Sequence, residues 1–167
     1  MIQIRHVSKW YGAFQVLTDC STAIAKGEVV VVCGPSGSGK STLIKTVNAL
    51  EPFQQGDIVV DGIRLSDPKT DLPRLRARVG TVFRHFELFP HLSVTGDLTL
   101  AQVRVLGEGM TMMCVTHEMG FARKVSHRVV FMDQGRIVED CPQADFFGRL
   151  EARTPRAREF LSKILAH

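Results

Sequence analysis

This sequence of 167 residues contains no long hydrophobic run and no closely spaced cysteines. Because no apolar stretch approaches the roughly 20 residues of a membrane-crossing helix, we expect any membrane role to come through a partner. The four cysteines lie far apart without a C-x-x-C pair, which is typical of reduced thiols in a cytosolic protein. Alternating apolar residues at 1–6 predict a strand rather than a signal peptide.

The chain also lacks a dominant charge, internal repeats and low-complexity segments. Its 21 lysines and arginines against 17 acids give a net charge of +4. The basic residues cluster at 74–78 and 153–158, where a solvent-exposed helix face is a simpler interpretation than a nucleic-acid surface. No aromatic residues interleave with those clusters, so we expect no nucleic-acid partner. The length and the 44% hydrophobic content predict one globular domain over residues 1–167.

One glycine-rich stretch, G-P-S-G-S-G-K-S-T at 34–42, matches the pattern G-x-x-x-x-G-K-[ST] of phosphate-binding loops. An apolar run at 28–33 predicts a buried strand before it, and the apolar spacing at 41–50 predicts a helix after it. This context favours a phosphate loop over an ordinary Gly/Ser turn before a helix. The predicted nucleotide-binding residues are Gly34, Pro35, Ser36, Gly37, Ser38, Gly39, Lys40, Ser41 and Thr42.

The residue types of this stretch suit a phosphate anion. Glycines let the backbone curl so that its N–H donors converge, and the positive end of the following helix adds to them. Lys40 supplies a point charge for the β- and γ-phosphates, and the Ser41 hydroxyl is suited to ligate Mg²⁺. The stretch therefore predicts a nucleotide site that uses Mg²⁺ through Ser41.

Strands alternate with helices behind this loop, which predicts an α/β fold with the parallel sheet core of P-loop proteins. The opening strands and a hairpin with a D-G turn at 57–65 predict an added antiparallel layer. Asp71 is a predicted N-cap for a helix reaching 78, and Thr154 is a predicted N-cap for a helix at 155–165. Further strands are predicted at 79–83, 110–115, 128–133 and 136–140, and further helices at 98–106, 118–126 and 143–150.

Several stretches together resemble the ATP-binding subunits of ABC transporters, and within them the polar amino-acid importers of the glutamate/aspartate type. These stretches are 7–12 (V-S-K-W-Y-G), 34–42, 82–91 (V-F-R-H-F-E-L-F-P-H), 115–122 (V-T-H-E-M-G-F-A) and the tail at 123–140. The resemblance implies ATP and Mg²⁺ as ligands and the membrane-spanning permease subunits of an importer as partners. It also implies a cytoplasmic protein, peripheral on the inner membrane of a bacterium.

The resemblance further implies roles for two residues outside the loop. Tyr11 would stack on adenine, and His117 would be the catalytic histidine that hydrogen-bonds the γ-phosphate and the attacking water. Without the resemblance, Tyr11 is an aromatic residue at a surface turn and His117 a capping residue between strand and helix.

The sequence departs from the family pattern in two places. Arg84 stands where the family has a glutamine that helps to hold Mg²⁺ and the attacking water. A guanidinium cannot ligate a cation, so Arg84 pairs with phosphate or points into solvent. Between Leu106 and Met110 a long segment is absent, which in the family carries most of the helical subdomain, the LSGGQ signature and the Walker B strand ending in Asp-Glu. We therefore predict one domain that is internally truncated near 106–110.

The missing segment predicts impaired ATP hydrolysis. Family members act as dimers in which one subunit's signature closes over the other's ATP, so we do not expect a homodimer of this chain to complete its sites. Glu118 follows the histidine instead of ending a Walker B strand, and Asp133 is explained more simply by a D-Q-G turn. We expect an ATP-binding importer component without appreciable turnover. The alternatives are a non-catalytic nucleotide-binding remnant and a small P-loop kinase, for which the arginines at 74–78 make a poor lid.

The missing strand also predicts a weaker sheet. In the family it lies between the strands that match 79–83 and 110–115. Its absence leaves a gap of about 4.8 Å on each side to close. Unless the neighbouring strands move together, two sheet edges stay exposed, and exposed edges promote association. We therefore predict lowered stability and a displaced loop at 84–91.

Overall fold

A computed structural model describes residues 1–79, 111–116 and 118–165 of the protein. Within these ranges the chain forms two sheets flanked by helices. The strands are β1 (Ile2–Tyr11), β2 (Phe14–Ile24), β3 (Val29–Cys33), β4 (Gln55–Val60), β5 (Ile63–Arg64), β6 (Met112–Val115), β7 (Arg128–Asp133) and β8 (Arg136–Pro142). The helices are α1 (Lys40–Val47), α2 (Leu72–Arg78), α3 (Met119–Val125), α4 (Gln143–Gly148) and α5 (Pro155–Leu165), with a 3₁₀ turn at Leu150–Ala152.

The first sheet is antiparallel, with strand order β2-β1-β4-β5. Its β4–β5 hairpin turns at Asp61 and Gly62, whose φ angles are 49° and 77°. Two consecutive positive φ angles are what a two-residue hairpin with a type I′ turn requires, and an Asp-Gly pair adopts them readily. The antiparallel layer and the hairpin predicted from the sequence are therefore confirmed.

The second sheet has the order β6-β3-β7-β8, in which β6, β3 and β7 are parallel and β8 is antiparallel. Every residue of β3 is buried, as expected for a central parallel strand covered on both faces. Val30 and Val32 pack into the core shared with the first sheet, whereas Val31 and Cys33 pack towards α3, α4 and α5. The predicted α/β core is therefore confirmed.

Local signals placed most helix starts correctly. The Asp71 side chain accepts a hydrogen bond of 3.0 Å from the Arg74 N–H at the start of α2. The Thr154 hydroxyl accepts one of 3.4 Å from the Ala157 N–H at the start of α5. In the ranges that the structure describes, no helix combines the length and apolar character needed to cross a membrane.

The helix predicted for 41–50 is shorter than expected. It ends at Val47, and Ala49 adopts a left-handed φ of 56°. The Leu50 and Glu51 N–H groups both donate to the Lys45 carbonyl, at 2.9 and 3.0 Å, so the chain turns sharply there. Leu50 consequently leaves the apolar face on which the spacing placed it and is exposed.

Strand β6 has only four residues, all half-buried, and pairs with β3. Among the described residues, no other strand pairs with β6. The strand predicted at 79–83, apart from Val79 at the end of α2, lies outside those ranges. So do the helix predicted at 98–106, the loop at 84–91 and Arg84. The loss of a strand from this sheet and the displaced loop at 84–91 therefore stay predictions.

Candidate functional site

The glycine-rich stretch lies between the end of β3 and the first turn of α1, as the sequence predicts. Gly34 has a φ of 143°, and a Cβ atom there would lie 2.0 Å from the Met132 carbonyl oxygen of β7. Gly39 has a φ of 96°, and its Cβ would lie 2.9 Å from the Val16 carbonyl oxygen of β2. Close backbone packing on both sides therefore fixes the loop's path and requires glycine at both positions.

Lys40 is buried, and its side chain folds over the loop. The ammonium donates hydrogen bonds to the carbonyl oxygens of Gly34 at 2.9 Å and Pro35 at 2.6 Å. It also lies 3.2 Å from the Ser38 hydroxyl oxygen. These contacts hold one positive charge against the loop, in the position where an anionic group bound by the loop would meet it.

The first turn of α1 adds backbone donors next to the loop. Gly39 is its N-cap and makes no side-chain capping bond, and the first turn contains no acidic residue. The N–H groups of a helix's first turn have no partners within the helix, and the helix dipole makes that end positive. Together with Lys40 and the open hydroxyl of Ser41, these donors fit a chain of phosphates.

A magnesium ion at this site would have few protein ligands. Among the residues that the structure describes, no group of three His, Cys, Asp or Glu side chains could hold a metal ion. Ser41 supplies an exposed hydroxyl, and Mg²⁺ commonly takes its remaining ligands from phosphates and water. Asp133 ends β7 but is bound by Arg156, whose Nε donates to Oδ2 at 2.8 Å. The D-Q-G turn predicted after Asp133 is confirmed, with Gln134 and Gly135 both at positive φ.

Tyr11 lies beside the loop although it precedes Gly34 by 23 positions in the sequence. It ends β1 and keeps 47% of its surface exposed. Its side chain is hydrogen-bonded with Thr42 of α1 and with Glu51. Partial desolvation and the bond to Glu51 raise the pKa of Tyr11 above its ordinary value. The structure therefore brings an exposed aromatic ring to the start of α1, where a bound nucleotide could reach it.

His117 itself lies outside the described residues, but the chain on both sides of it is placed. Strand β6 runs parallel to β3, with Val115 paired with Val32. Both strands therefore end at the same edge of the sheet, where the loop begins. Glu118 follows as the N-cap of α3 and is exposed. The catalytic role of His117 stays a prediction.

Sequence reasoning did not identify the residues that surround Tyr11. Lys9 is 2% exposed, and its ammonium lies 4.5 Å from the centre of the Tyr11 ring. An irregular pairing of β1 with β2 makes Val7, Ser8 and Lys9 consecutively buried, which breaks the alternation expected of a strand. No local signal in the sequence predicts the burial of Lys9, because its partner Glu51 is 42 positions further along the chain.

Comparison with known proteins gives the family context. A family profile described as ABC transporter matches residues 17–154. The glutamate/aspartate import ATP-binding protein GltL of Escherichia coli (strain K12) is 48% identical over 242 residues, covering 99% of this chain and 100% of that protein. The glutamine transport ATP-binding protein GlnQ of Geobacillus stearothermophilus is 35% identical over 244 residues, covering 100% of both.

One solved structure, of a dimeric bacterial ABC transporter cassette, has the same fold. Its TM-score is 0.73 at 19% identity, and the match covers 86% of this chain and 99% of that one. The alignments with GltL and GlnQ, at 242 and 244 residues, are both longer than the 167 residues of this chain. The first therefore contains at least 75 positions, 242 less 167, without a residue of this chain.

Proposed function

The chain belongs to the ABC transporter family, and on that premise we propose that it is the ATP-binding component of an amino-acid importer. The observation that carries the proposal is the loop at 34–42, where the buried Lys40 ammonium is held against the loop carbonyls and α1 begins without a side-chain cap. The glutamate/aspartate import protein GltL and the glutamine transport protein GlnQ support amino acids as the cargo, and GltL supports glutamate and aspartate.

Each predicted site residue has a part in this proposal. The backbone of 34–42 and the Lys40 ammonium bind the phosphates of ATP, and the Ser41 hydroxyl would hold Mg²⁺. Mg²⁺ would neutralise phosphate charge at this site. Tyr11, exposed beside Thr42, stacks on adenine. His117 would contact the γ-phosphate.

We further propose that the chain binds ATP without appreciable turnover. The lengths of the GltL and GlnQ alignments support a single domain with an internal truncation, which the order of the family motifs in the sequence assigns to 106–110. The sequence contains no LSGGQ signature and no Walker B strand ending in Asp-Glu. The pairing of Asp133 with Arg156 supports the same view, because that carboxylate is engaged by an arginine. A non-catalytic remnant of an importer subunit is the second candidate, favoured by the same alignment lengths.

The partners follow from the family. We propose permease subunits of an importer as the membrane-spanning partners, with this chain peripheral on the cytoplasmic face of the inner membrane. The solved cassette of the same fold is described as dimeric. We do not propose a working homodimer of this chain, because the sequence lacks the signature segment that would close over the partner's ATP.

The test of ATP binding is a comparison of two lysines. Lys40→Ala removes the buried charge in the loop, whereas Lys163→Ala removes an exposed charge of α5 that pairs with Glu159. We expect Lys40→Ala to weaken ATP binding at least tenfold and Lys163→Ala to leave it within about twofold, measured by titration calorimetry. Equal ATP affinity of Lys40→Ala and wild type would contradict the proposal. Growth of an importer-deficient strain that expresses the chain would then separate a working component from a remnant.

A further inference from the structure

The side chain of Tyr11 lies at the centre of a charged cluster formed by Lys9, Tyr11, Lys45 and Glu51. The Lys9 ammonium lies 3.3 Å from the Glu51 carboxylate and donates a 2.6 Å hydrogen bond to the Pro52 carbonyl. The same ammonium lies over the Tyr11 ring at 4.5 Å from its centre. Glu51 in turn accepts from the Tyr11 hydroxyl and pairs with Lys45 at 3.9 Å.

The backbone around this cluster is also held. Glu51 is fixed to α1 through its N–H, which donates to the Lys45 carbonyl at 3.0 Å. The Gln54 side chain accepts from the Trp10 N–H at 3.0 Å and donates to the Trp10 carbonyl at 3.1 Å. The end of β1 is therefore held against the segment 51–54 close to the contact between the Tyr11 hydroxyl and Glu51.

A buried lysine is an expensive way to stabilise a fold. Burial of a charged group costs free energy that a pair with a carboxylate only partly offsets, and an apolar residue in its place is often neutral. Lys9 is 2% exposed and supports an aromatic ring that keeps 47% of its own surface exposed. A cation beside one part of the ring and open surface on the rest suits a ring that is held in place for another flat group.

We propose that Lys9 and Glu51 are positioning residues for the nucleotide base, because they hold the Tyr11 ring in the orientation that stacks on adenine. The inference rests on the proposed function, in which the loop binds the phosphates and Tyr11 binds the base. Lys9 acts through the ring and the Pro52 carbonyl, and Glu51 acts through the Tyr11 hydroxyl. The cluster thus links base binding to the end of α1, whose first turn belongs to the phosphate loop.

The experiment separates base binding from phosphate binding. Dissociation constants for ATP and for inorganic tripolyphosphate are measured with Mg²⁺ on the full chain, and their ratio reports the contribution of the nucleoside. In wild type we expect tripolyphosphate to bind at least about tenfold more weakly than ATP. Tripolyphosphate has no base, so it lacks the affinity that stacking of a base on an aromatic ring supplies. Tyr11→Ala defines how much of that ratio depends on the ring.

Glu51→Gln and Lys9→Met test the two positioning residues. We expect each to reduce the ratio at least threefold and to leave the tripolyphosphate constant within twofold. Unchanged tripolyphosphate binding also shows that the variant is folded. The control is Asp57→Asn, since Asp57 is 18% exposed and pairs with Arg64, whereas Glu51 is 25% exposed. We expect the control to leave both constants unchanged.

Tyr11 offers a second measurement, because it is the only tyrosine in the sequence. Tyrosinate absorbance therefore reports this ring alone. Since Glu51 raises the pKa of Tyr11, Glu51→Gln should lower that pKa towards its ordinary value of 10.0. The control variant Asp57→Asn, which removes a carboxylate paired with Arg64, should leave the pKa of Tyr11 unchanged.

The possible outcomes are distinct. A ratio that both variants leave unchanged, while Tyr11→Ala reduces it, overturns the inference and leaves the proposed function intact. A wild-type ratio near one, with tripolyphosphate bound, overturns the inference together with the adenine role of Tyr11. Failure of wild type to bind either compound overturns the proposed function itself.

Discussion

The Arg156 guanidinium donates two hydrogen bonds to the Asp133 carboxylate, from Nε at 2.8 Å and from Nη2 at 3.3 Å. Asp133 is buried at the end of β7, and Arg156 belongs to the first turn of α5. The pair therefore fastens α5 to the strand whose Met132 carbonyl packs against Gly34. It also engages both carboxylate oxygens, which ties Asp133 to the strand that packs against the loop.

Asp133→Asn should weaken the fold and leave nucleotide binding unchanged. The amide loses the charge-assisted pair, and a loss of about 1 kcal/mol corresponds to a fall in Tm of about 2–4 °C at this chain length. Glu159→Gln is the control, because it removes the exposed partner of the same arginine. It should have almost no effect on Tm. A loss of Mg²⁺-dependent ATP binding in Asp133→Asn would instead identify Asp133 as a metal ligand.

Gly34→Ala should be far more damaging than Gly37→Ala. The new Cβ at position 34 would lie 2.0 Å from the Met132 carbonyl oxygen, whereas the one at position 37 would meet nothing within 4 Å. Gly37→Ala still forces a side chain into a φ of 76°, at a cost of about 1–2 kcal/mol. For Gly34→Ala we expect urea denaturation to show a loss of unfolding free energy larger than about 1–2 kcal/mol. Equal stability of the two variants would show that β7 does not confine the loop.

The stability of the fold should fall above pH 9 because of buried thiols. Burial raises the pKa of Cys33 to about 12 and that of Cys114 to about 11, from an ordinary value of 9.0. The folded state therefore resists ionisation, while the unfolded chain loses these protons. The contribution of the two buried thiols to the free energy of unfolding is complete below pH 9, and it is lost as the pH rises towards their pKa values in the folded state.

Cys33→Ala isolates the contribution of one thiol. Between pH about 8 and about 10.5, the free energy of unfolding of wild type should decrease by about 1–2 kcal/mol more than that of Cys33→Ala. The cavity left by the substitution lowers stability at both pH values and cancels in this comparison. An identical pH dependence in the two proteins would show that the Cys33 thiol ionises as readily in the folded state as in the unfolded one.

The proposed internal truncation should lower thermal stability. Strand β6 pairs with β3 and, among the described residues, with no other strand. We expect Tm below about 60 °C, and apparent mass that rises with protein concentration as exposed edges associate. Scanning calorimetry and light scattering measure the two quantities. Cooperative unfolding above that temperature in a strictly monomeric protein would mean that the sheet has closed its gap.

Much of the fold could be predicted because the determining signals are local. Asp71 and Thr154 cap helices through contacts with residues three positions away, and Asp61-Gly62 specifies its own turn. The loop at 34–42 follows the same logic, since its glycines and Lys40 lie within one short stretch.

The remaining features depend on contacts between distant residues. The early end of α1 requires a left-handed Ala49, which no propensity favours and only the surrounding packing stabilises. Burial of Lys9 depends on an irregular strand pairing and on Glu51, which β1 meets only in the folded chain. Tertiary contacts of this kind cannot be predicted from the local spacing of apolar and polar residues.

The central claim is that this chain binds ATP and does not turn it over. The most direct measurement is the amount and chemical identity of the nucleotide that remains bound after incubation with MgATP, determined by chromatography of the isolated complex. We predict about one intact ATP per chain at saturation, with ADP formed far more slowly than the ~1 s⁻¹ of ordinary enzymes. Absence of bound nucleotide, or formation of ADP at that rate, would contradict the account.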